Sequence, residues 1–495
     1  MEVDFEYSKE LLQRINKHVF GNDAFRQLFS GYEYYPWSFQ QYFLFSRIKR
    51  FSMEPTEIYE DPDEIEPKRI LLVPINILII VITFFAYIKF LLKRPKILLM
   101  CSDFLKHGTT YPQRLSKVYE ELCNNKVQCA EMIHTADYKT FFVSIFKRRR
   151  IVLYYNVTYF FPSIFYSARI KNAKQVVSKI LRSGFFTESE IRFCERLLAD
   201  AVRNMFYSET RIKFLLFILK TIGITSSISI DDVRYSNELV VASKRAGVAS
   251  YFYQHSNFDY LYGLDTLPPN EYIFPDFFYV WNEYWKRRIP EISPIYAHYQ
   301  NRIYVGGRAH AVPRIEPIAP MKSDIADETV KVLIPYEVNL SREQIYPYIE
   351  ALLSMPAVHV FFLLRGDFEK NIQTQKYLGI GNNKMSENLT IIESPQKEIY
   401  LRKADVVAGV YSGFIDESIE SCKPIAIFET NYPIFNKLYE DGLASRISIN
   451  NDILAQLQKV KQTPAQLLFE RRERFVGGAG NIQESVAKII SGKNY

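Results

Sequence analysis

Cysteine is sparse and unpatterned in this chain. Cys101, Cys123, Cys129, Cys194 and Cys422 are scattered, with no CxxC pair and no matched histidine spacing. That excludes a disulfide framework and a zinc site, and fits reduced thiols in a cytosolic setting. Acidic metal motifs are equally scarce: Asp61-Pro62-Asp63 sits inside the acidic run EPTEIYEDPDEIEP, the wrong context for a catalytic ion. The N-terminus, MEVDFEYSKELLQRINKHVF, is charged and amphipathic and lacks the basic-then-apolar order of a signal peptide. No tandem repeat of about 20 to 50 residues is present, which excludes solenoid and propeller architectures. No DNA- or RNA-binding motif accompanies the basic clusters, so no nucleic-acid partner is expected.

What is present is ordinary globular material, with 48% apolar and 24% charged residues, so wholesale disorder is excluded. At 495 residues the chain exceeds the size at which one core keeps growing, and two domains are expected. Aromatic content is high at 15%, a property shared by cores, carbohydrate platforms and membrane interfaces, so it decides nothing alone.

The net charge of +7 is patchy. Lys147-Arg148-Arg149-Arg150 lies between FFVSIF and IVLYY, and RIKFLLFILK (211–220) is both basic and apolar. Such segments suit an anionic membrane surface. Residues 70–88, ILLVPINILIIVITFFAYI, form a run without a charge, followed by Lys89, Lys93, Arg94 and Lys96. The run is long enough for the hydrocarbon core, which needs roughly 20 residues. Pro74 and Asn76 stand against a span. A monotopic anchor, a transmembrane helix and a buried core helix are all open; the basic clusters favour membrane association, and the protein is expected to fractionate with membranes.

Beyond this run the pattern is α/β. PKILLMCSD (95–103) and RIVLYYNVTYFF (150–161) read as strands, 187–222 as helix, and ITSSISIDD (224–232) as a strand. SNELVVASKRAG then predicts a helix ending at Gly247, directly before the strand VASYFYQH, the connection expected in a βαβ unit. Residues 311–329 carry three prolines and no periodicity and read as an interdomain linker. The rhythm then restarts: KVLIPYE, VHVFFLLRG, LTIIES, DVVAGVYSG and PIAIFET read as strands with helices between them. Two such domains bind ligands in the cleft at their strand C-termini. The expected division is an N-terminal helical and acidic region (1–69), a hydrophobic membrane-associating segment (70–94), an N-terminal Rossmann-like domain (95–320) and a C-terminal one (321–495).

In ADVVAGVYSGFIDESIESCKPIAIFET (404–430) a buried strand ends at Tyr411-Ser412-Gly413 and a helix begins, its N-terminal N–H groups and dipole forming an anion site. Asp416 and Glu417 fall in its first turn, a placement that helix capping alone would also explain. This stretch resembles the donor half of GT-B glycosyltransferases, where a Ser/Gly turn meets the donor phosphates and a helix Glu seven residues before the proline of a Lys-Pro pair binds the nucleotide ribose. Glu417 stands seven residues before Pro424. The resemblance therefore implies phosphate contacts at Ser412 and Gly413 and a ribose contact at Glu417. Glu337, after KVLIPY, and Arg365, after FFLL, would line the same cleft, with Arg365 offsetting leaving-group charge. Related enzymes often carry a His-Pro pair where this chain has RGDF.

Gln254-His255-Ser256, then Pro275-Asp276 with Trp281-Asn282-Glu283-Tyr284-Trp285, then Val305-Gly306-Gly307-Arg308, resemble in order and spacing the motifs of GT-B enzymes that build capsule and O-antigen polysaccharides. Ser256 and Asn282 replace glycines of that pattern. The resemblance implies two Rossmann-like domains of GT-B type facing a cleft, with an N-terminal helical, membrane-associating region. It implies transfer from a nucleotide-sugar, as substrate, to an oligosaccharide or lipid-linked glycan acceptor at the cytoplasmic face of the bacterial inner membrane. No cofactor and no metal are implied. His255 at a strand end becomes a candidate general base or phosphate ligand, with Asp232 as the alternative base. A CDP-polyol phosphotransferase of teichoic-acid type and a non-catalytic assembly protein are the alternatives.

Overall fold

The computed structural model describes residues 5–53, 69–101, 113–133, 141–147, 151–155, 162–230, 235–254, 268–309, 329–337, 340–365, 370–379, 387–432, 437–477 and 481–492. Its frame is two wholly parallel sheets. The first contains β1 (Ile97–Cys101), β2 (Cys129–Ile133), β3 (Val152–Tyr154), β4 (Ser226–Ile230), β5 (Ala249–Tyr253), β6 (Phe277–Val280) and β7 (Ile303–Val305), in the order β3-β2-β1-β4-β5-β6-β7. The second contains β8 (Val330–Pro335), β9 (Val358–Leu363), β10 (Leu389–Ile392), β11 (Val406–Gly409), β12 (Ile425–Phe428) and β13 (Ser445–Ile447), in the order β10-β9-β8-β11-β12-β13. The two α/β domains expected from the alternating pattern are therefore present. Strands such as Val406–Gly409 and Ile425–Phe428 are buried along their whole length, as parallel strands covered by helices on both faces must be.

Each sheet has one place where the strand order reverses, between β1 and β4 in the first and between β8 and β11 in the second. At such a place the two crossovers leave in opposite directions and open a crevice at the strand C-termini. The second crevice organises the candidate site described below.

Around the first sheet pack α1 (Phe5–Arg14), α2 (Gln41–Met53), α3 (Arg69–Lys93), α4 (Ser116–Asn124), α5 (Glu188–Ile222) and α6 (Tyr235–Ala246). Around the second lie α7 (Lys370–Leu378), α8 (Lys397–Lys403), α9 (Gly413–Glu420) and α10 (Ala465–Val476), and the chain closes with α11 (Ile482–Ser491). The boundaries of α5 are written in its sequence. Thr187 and Glu190 form a capping box at its start, and Gly223, at φ +82°, ends it in the left-handed conformation that glycine adopts without a Cβ penalty.

The segment before residue 54 is part of the first domain's core. Tyr7 Oη and Arg14 Nη1 reach Glu190 at 3.0 and 3.1 Å, and Trp37 Nε1 donates to Glu271 at 3.0 Å. Leu11, Trp37 and Phe45 are buried in one cluster with Leu197, Leu198 and Trp285. The last helix also belongs there. Val486 and Ile489 of α11 are buried with Val118 and Leu122 of α4, and Ser485 Oγ lies 2.9 Å from Tyr253 Oη. The chain thus passes from the second sheet back to the first at its end.

Helix α3 is docked by one stripe. Ile79 packs with Ile133, Phe141, Val152 and Tyr154, while Ala86 and Phe90 join the cluster containing Leu98, Ala130 and Leu153. The opposite stripe, including Phe84, Phe85 and Leu92, is open to solvent.

A fully buried ion pair fixes α5 to α6. The Arg211 Nε atom lies 2.8 and 3.0 Å from the two Glu238 carboxylate oxygens, Nη2 donates to the Asn204 carbonyl, and the Tyr155 hydroxyl donates to the same carboxylate. Both charged side chains are inaccessible to solvent. Removing one partner strands the other charge, so Arg211→Met is expected to cost about 3–5 kcal/mol in urea unfolding. The double variant Arg211→Met/Glu238→Leu should recover most of that loss.

Candidate functional site

The second sheet's crevice is bounded by the residues that leave β8 and β11. Leaving β11, the backbone N–H groups of Val410, Tyr411 and Ser412 point into the protein, where β8 no longer offers a partner. The Glu337 side chain, two residues past β8, supplies the acceptor. Val410 N lies 2.9 Å from Oε2 and Tyr411 N 2.6 Å from Oε1, and Ser412 N donates to the same Oε1. Glu337 is itself pinned, since its N–H donates to the Tyr377 hydroxyl at 2.7 Å and that hydroxyl donates to its carbonyl at 3.1 Å. Glu337 stands at the crevice as expected, but the residue is 2% exposed and its carboxylate faces the turn.

Burial pushes the Glu337 carboxyl up to about 7, against the pull of the Tyr411, Val410 and Ser412 N–H groups and of the Lys376 ammonium. Burial likewise brings Lys376 down to about 8, opposed by Glu337 and Glu343. The backbone has no room for extra bulk here: a Cβ on Gly409 would sit 3.2 Å from Ile415 Cδ1 and 3.4 Å from Glu337 Oε2.

With the turn fixed, Ser412 caps α9, its Oγ accepting from Phe414 N at 3.3 Å. Glu417 points from α9 to Lys397, the first residue of α8, at 2.9 Å. A lysine at a helix start is disfavoured by the dipole, and that misfit was the signal in the sequence for an acidic partner. Lys423, of the Lys-Pro pair, reaches the carbonyls of Arg402 and Ala404 at 3.2 and 2.9 Å, so it caps the C-terminal end of α8. Burial brings its ammonium down to about 8, against Asp405. Beside the turn, Tyr411 stacks on Tyr432 at 4.6 Å.

Arg365, past β9, has its backbone clamped by Gln373, with contacts of 2.7 and 2.8 Å, and its side chain is exposed. Ser412, Gly413, Glu417, Glu337 and Arg365 thus all follow or flank the C-terminal ends of β8, β9 and β11.

From the first domain comes Arg308. The turn Gly306-Gly307 is tight, since a Cβ on Gly306 would approach Tyr279 Cβ to 2.6 Å and Gly307 has φ +80°. It lays the Arg308 guanidinium 4.0 Å over the Trp281 ring and 2.9 Å, through Nε, from Glu420 of α9. Burial would favour loss of the Arg308 proton, but Glu420, Glu417 and Asp416 outweigh it and raise its pKa. Trp281 in turn is held by Gln254, whose Oε1 accepts from Trp281 N at 3.0 Å and whose carbonyl accepts from Nε1 at 2.9 Å. A continuous chain of contacts therefore runs from the end of β5 through Trp281 and Arg308 to α9. Lys397 and the pairing of Arg308 with Glu420 were missed by sequence reasoning. His255 and Asp232 lie outside the described residues; the strands before them, β5 and β4, end at Tyr253 and Ile230.

Glu337→Ala leaves three N–H groups without their acceptor and should cost about 3 kcal/mol in chemical unfolding. The folded protein keeps the Glu337 proton over a range where the unfolded chain has released it. Its contribution to stability therefore falls as pH rises from the ordinary carboxylate range through about 7. Unfolding midpoints measured across that range should show this decline in the wild type and a flatter profile in Glu337→Gln.

No protein-family model matches the chain, and no curated protein matches it. Among solved structures it is similar to CalG4, the calicheamicin glycosyltransferase, at 11% identity and TM-score 0.46, over 80% of this chain and 98% of that one. It is similar to the UDP-GlcNAc 2-epimerase from Neisseria meningitidis bound to UDP-GlcNAc at 11% identity and TM-score 0.46, over 80% and 100%. It is also similar to MurG from Acinetobacter baumannii at 12% identity and TM-score 0.42, over 81% and 100%. This is a likeness of outline, and the functional reading rests on the residues of this chain.

Proposed function

We propose that the protein is a glycosyltransferase that moves a sugar from a nucleotide-sugar donor to a glycan acceptor, in surface polysaccharide assembly onto a lipid-linked chain. The observation that carries the reading is the turn at the β8/β11 crevice. A buried carboxylate shapes it, a helix starts from it, and two acids of that helix pair with Lys397 of α8 and Arg308 of the first domain.

In this reading the donor diphosphate lies on Ser412, Gly413 and the first turn of α9, where helix N–H groups and the dipole favour negative charge. Glu417, paired with Lys397, accepts from the ribose hydroxyls. Arg365 lies toward the phosphates and offsets the charge that builds on the departing nucleoside diphosphate. The bond from the anomeric carbon to the phosphate oxygen breaks, and one from that carbon to the acceptor oxygen forms. The acceptor proton passes to His255, or to Asp232, as general base. None of these steps calls on a metal ion.

A thermal-shift panel of nucleotides and nucleotide-sugars tests the donor site. One nucleotide class is expected to raise the melting temperature by several degrees, as ligand at about 100 times its Kd would, and Glu417→Ala should abolish the shift. His255→Ala should keep the shift while lowering transfer about a hundredfold or more. A protein that no nucleotide stabilises would favour the non-catalytic alternative. Release of a polyol phosphate from a CDP-activated donor would favour the phosphotransferase.

A further inference from the structure

The open stripe of α3 is an apolar surface that the transfer chemistry leaves unused. Phe84, Phe85 and Leu92 are 57, 67 and 81% exposed, where a soluble core helix would be covered. Two other elements widen the stripe. Phe217 of α5, 52% exposed, packs its ring 5.5 Å from that of Tyr87. Phe146, 66% exposed, stacks on Phe142, which packs against the cluster around Ile79.

The segments that form this surface carry charge of one sign. Residues 69–101, 141–147 and 211–225, which supply it, contain no Asp or Glu. They carry exposed Lys89, Lys93, Arg94, Lys96 and Lys220, and Lys213, which lies 3.7 Å from Glu209. Rings flanked by lysines that can extend toward headgroups are the chemistry of an interfacial helix on an anionic bilayer.

The fold also determines how the helix meets the membrane. By length and composition Pro74–Lys93 is able to cross a bilayer. A single crossing would place α1 and α2 on the opposite side from β1 to β7. Yet α1 reaches Glu190 of α5, and Trp37 reaches Glu271, inside one shared core. Both flanks of α3 are therefore on the same side.

We propose that the exposed face of α3, extended by Phe146 and Phe217 and rimmed by Lys89, Lys93 and Lys220, seats the protein on an anionic lipid bilayer, with α3 lying in the interface and not crossing it. The proposal is independent of the transfer reaction and stands even if no nucleotide binds.

Flotation of the full chain with phosphatidylcholine vesicles, with and without phosphatidylglycerol, is the test. The wild type should float with the anionic vesicles, at least tenfold more than with neutral ones, and less as salt rises. F84S/F85S/L92S should lose flotation with both while keeping the wild-type melting temperature. Lys89→Glu/Lys220→Glu should lose only the preference for anionic lipid. Equal flotation of wild type and the triple variant would overturn the proposal. So would a wild type that stays with the soluble fraction as a dimer which the triple variant breaks, since the face would then join two copies. Protection of residues 5–53 from protease added outside the vesicles would show a crossing helix and overturn the in-plane placement.

Discussion

A buried carboxylate sitting on three backbone N–H groups holds the second domain of this protein in shape. Where β8 and β11 part, the amides of Val410, Tyr411 and Ser412 have no strand partner, and burial without an acceptor would be costly. Glu337 answers that need. Its geometry decides where the chain turns after β11, hence where α9 starts and which way it points. Glu417 and Glu420 lie three residues apart on α9, close to one face. One takes Lys397 from its own domain, and the other takes Arg308 from the first. The helix that starts from this turn is thus gripped from both domains.

Much of this was legible in the sequence because buried parallel strands write themselves as short apolar runs. PKILLM, VASYFY, KVLIPY and DVVAGV are all strands in the structure. Some strands gave no such run. Cys129–Ile133 carries the buried Glu131 and breaks the apolar run, and Ser445–Ile447 spans only three residues.

Partners proved harder to read than elements. Periodicity tells which face of α1 or α11 seeks burial, not that both bury it on the first domain. Nothing local in KVLIPYE says that Glu337 will cap a turn more than seventy residues away. The role of Lys423 shows the same limit: its place beside Pro424 gives no hint that its ammonium closes α8. His255 and Asp232 rest on the sequence pattern, with Gln254 showing how firmly the strand before His255 is anchored to Trp281.

The length of α3 has a geometric consequence. Twenty-five residues make a rod of about 37 Å, whereas β1, with five residues, spans about 16 Å. Three residues tie the end of α3 to the start of β1, and Ile79 already lies beside Ile133 and Tyr154, the last residues of β2 and β3. The rod therefore overshoots the sheet at the strand ends from which the crevices open. A rod that begins below the sheet and runs past its upper rim, laid flat in a bilayer surface, would hold the strand ends and the crevice they open at the level of the lipid headgroups.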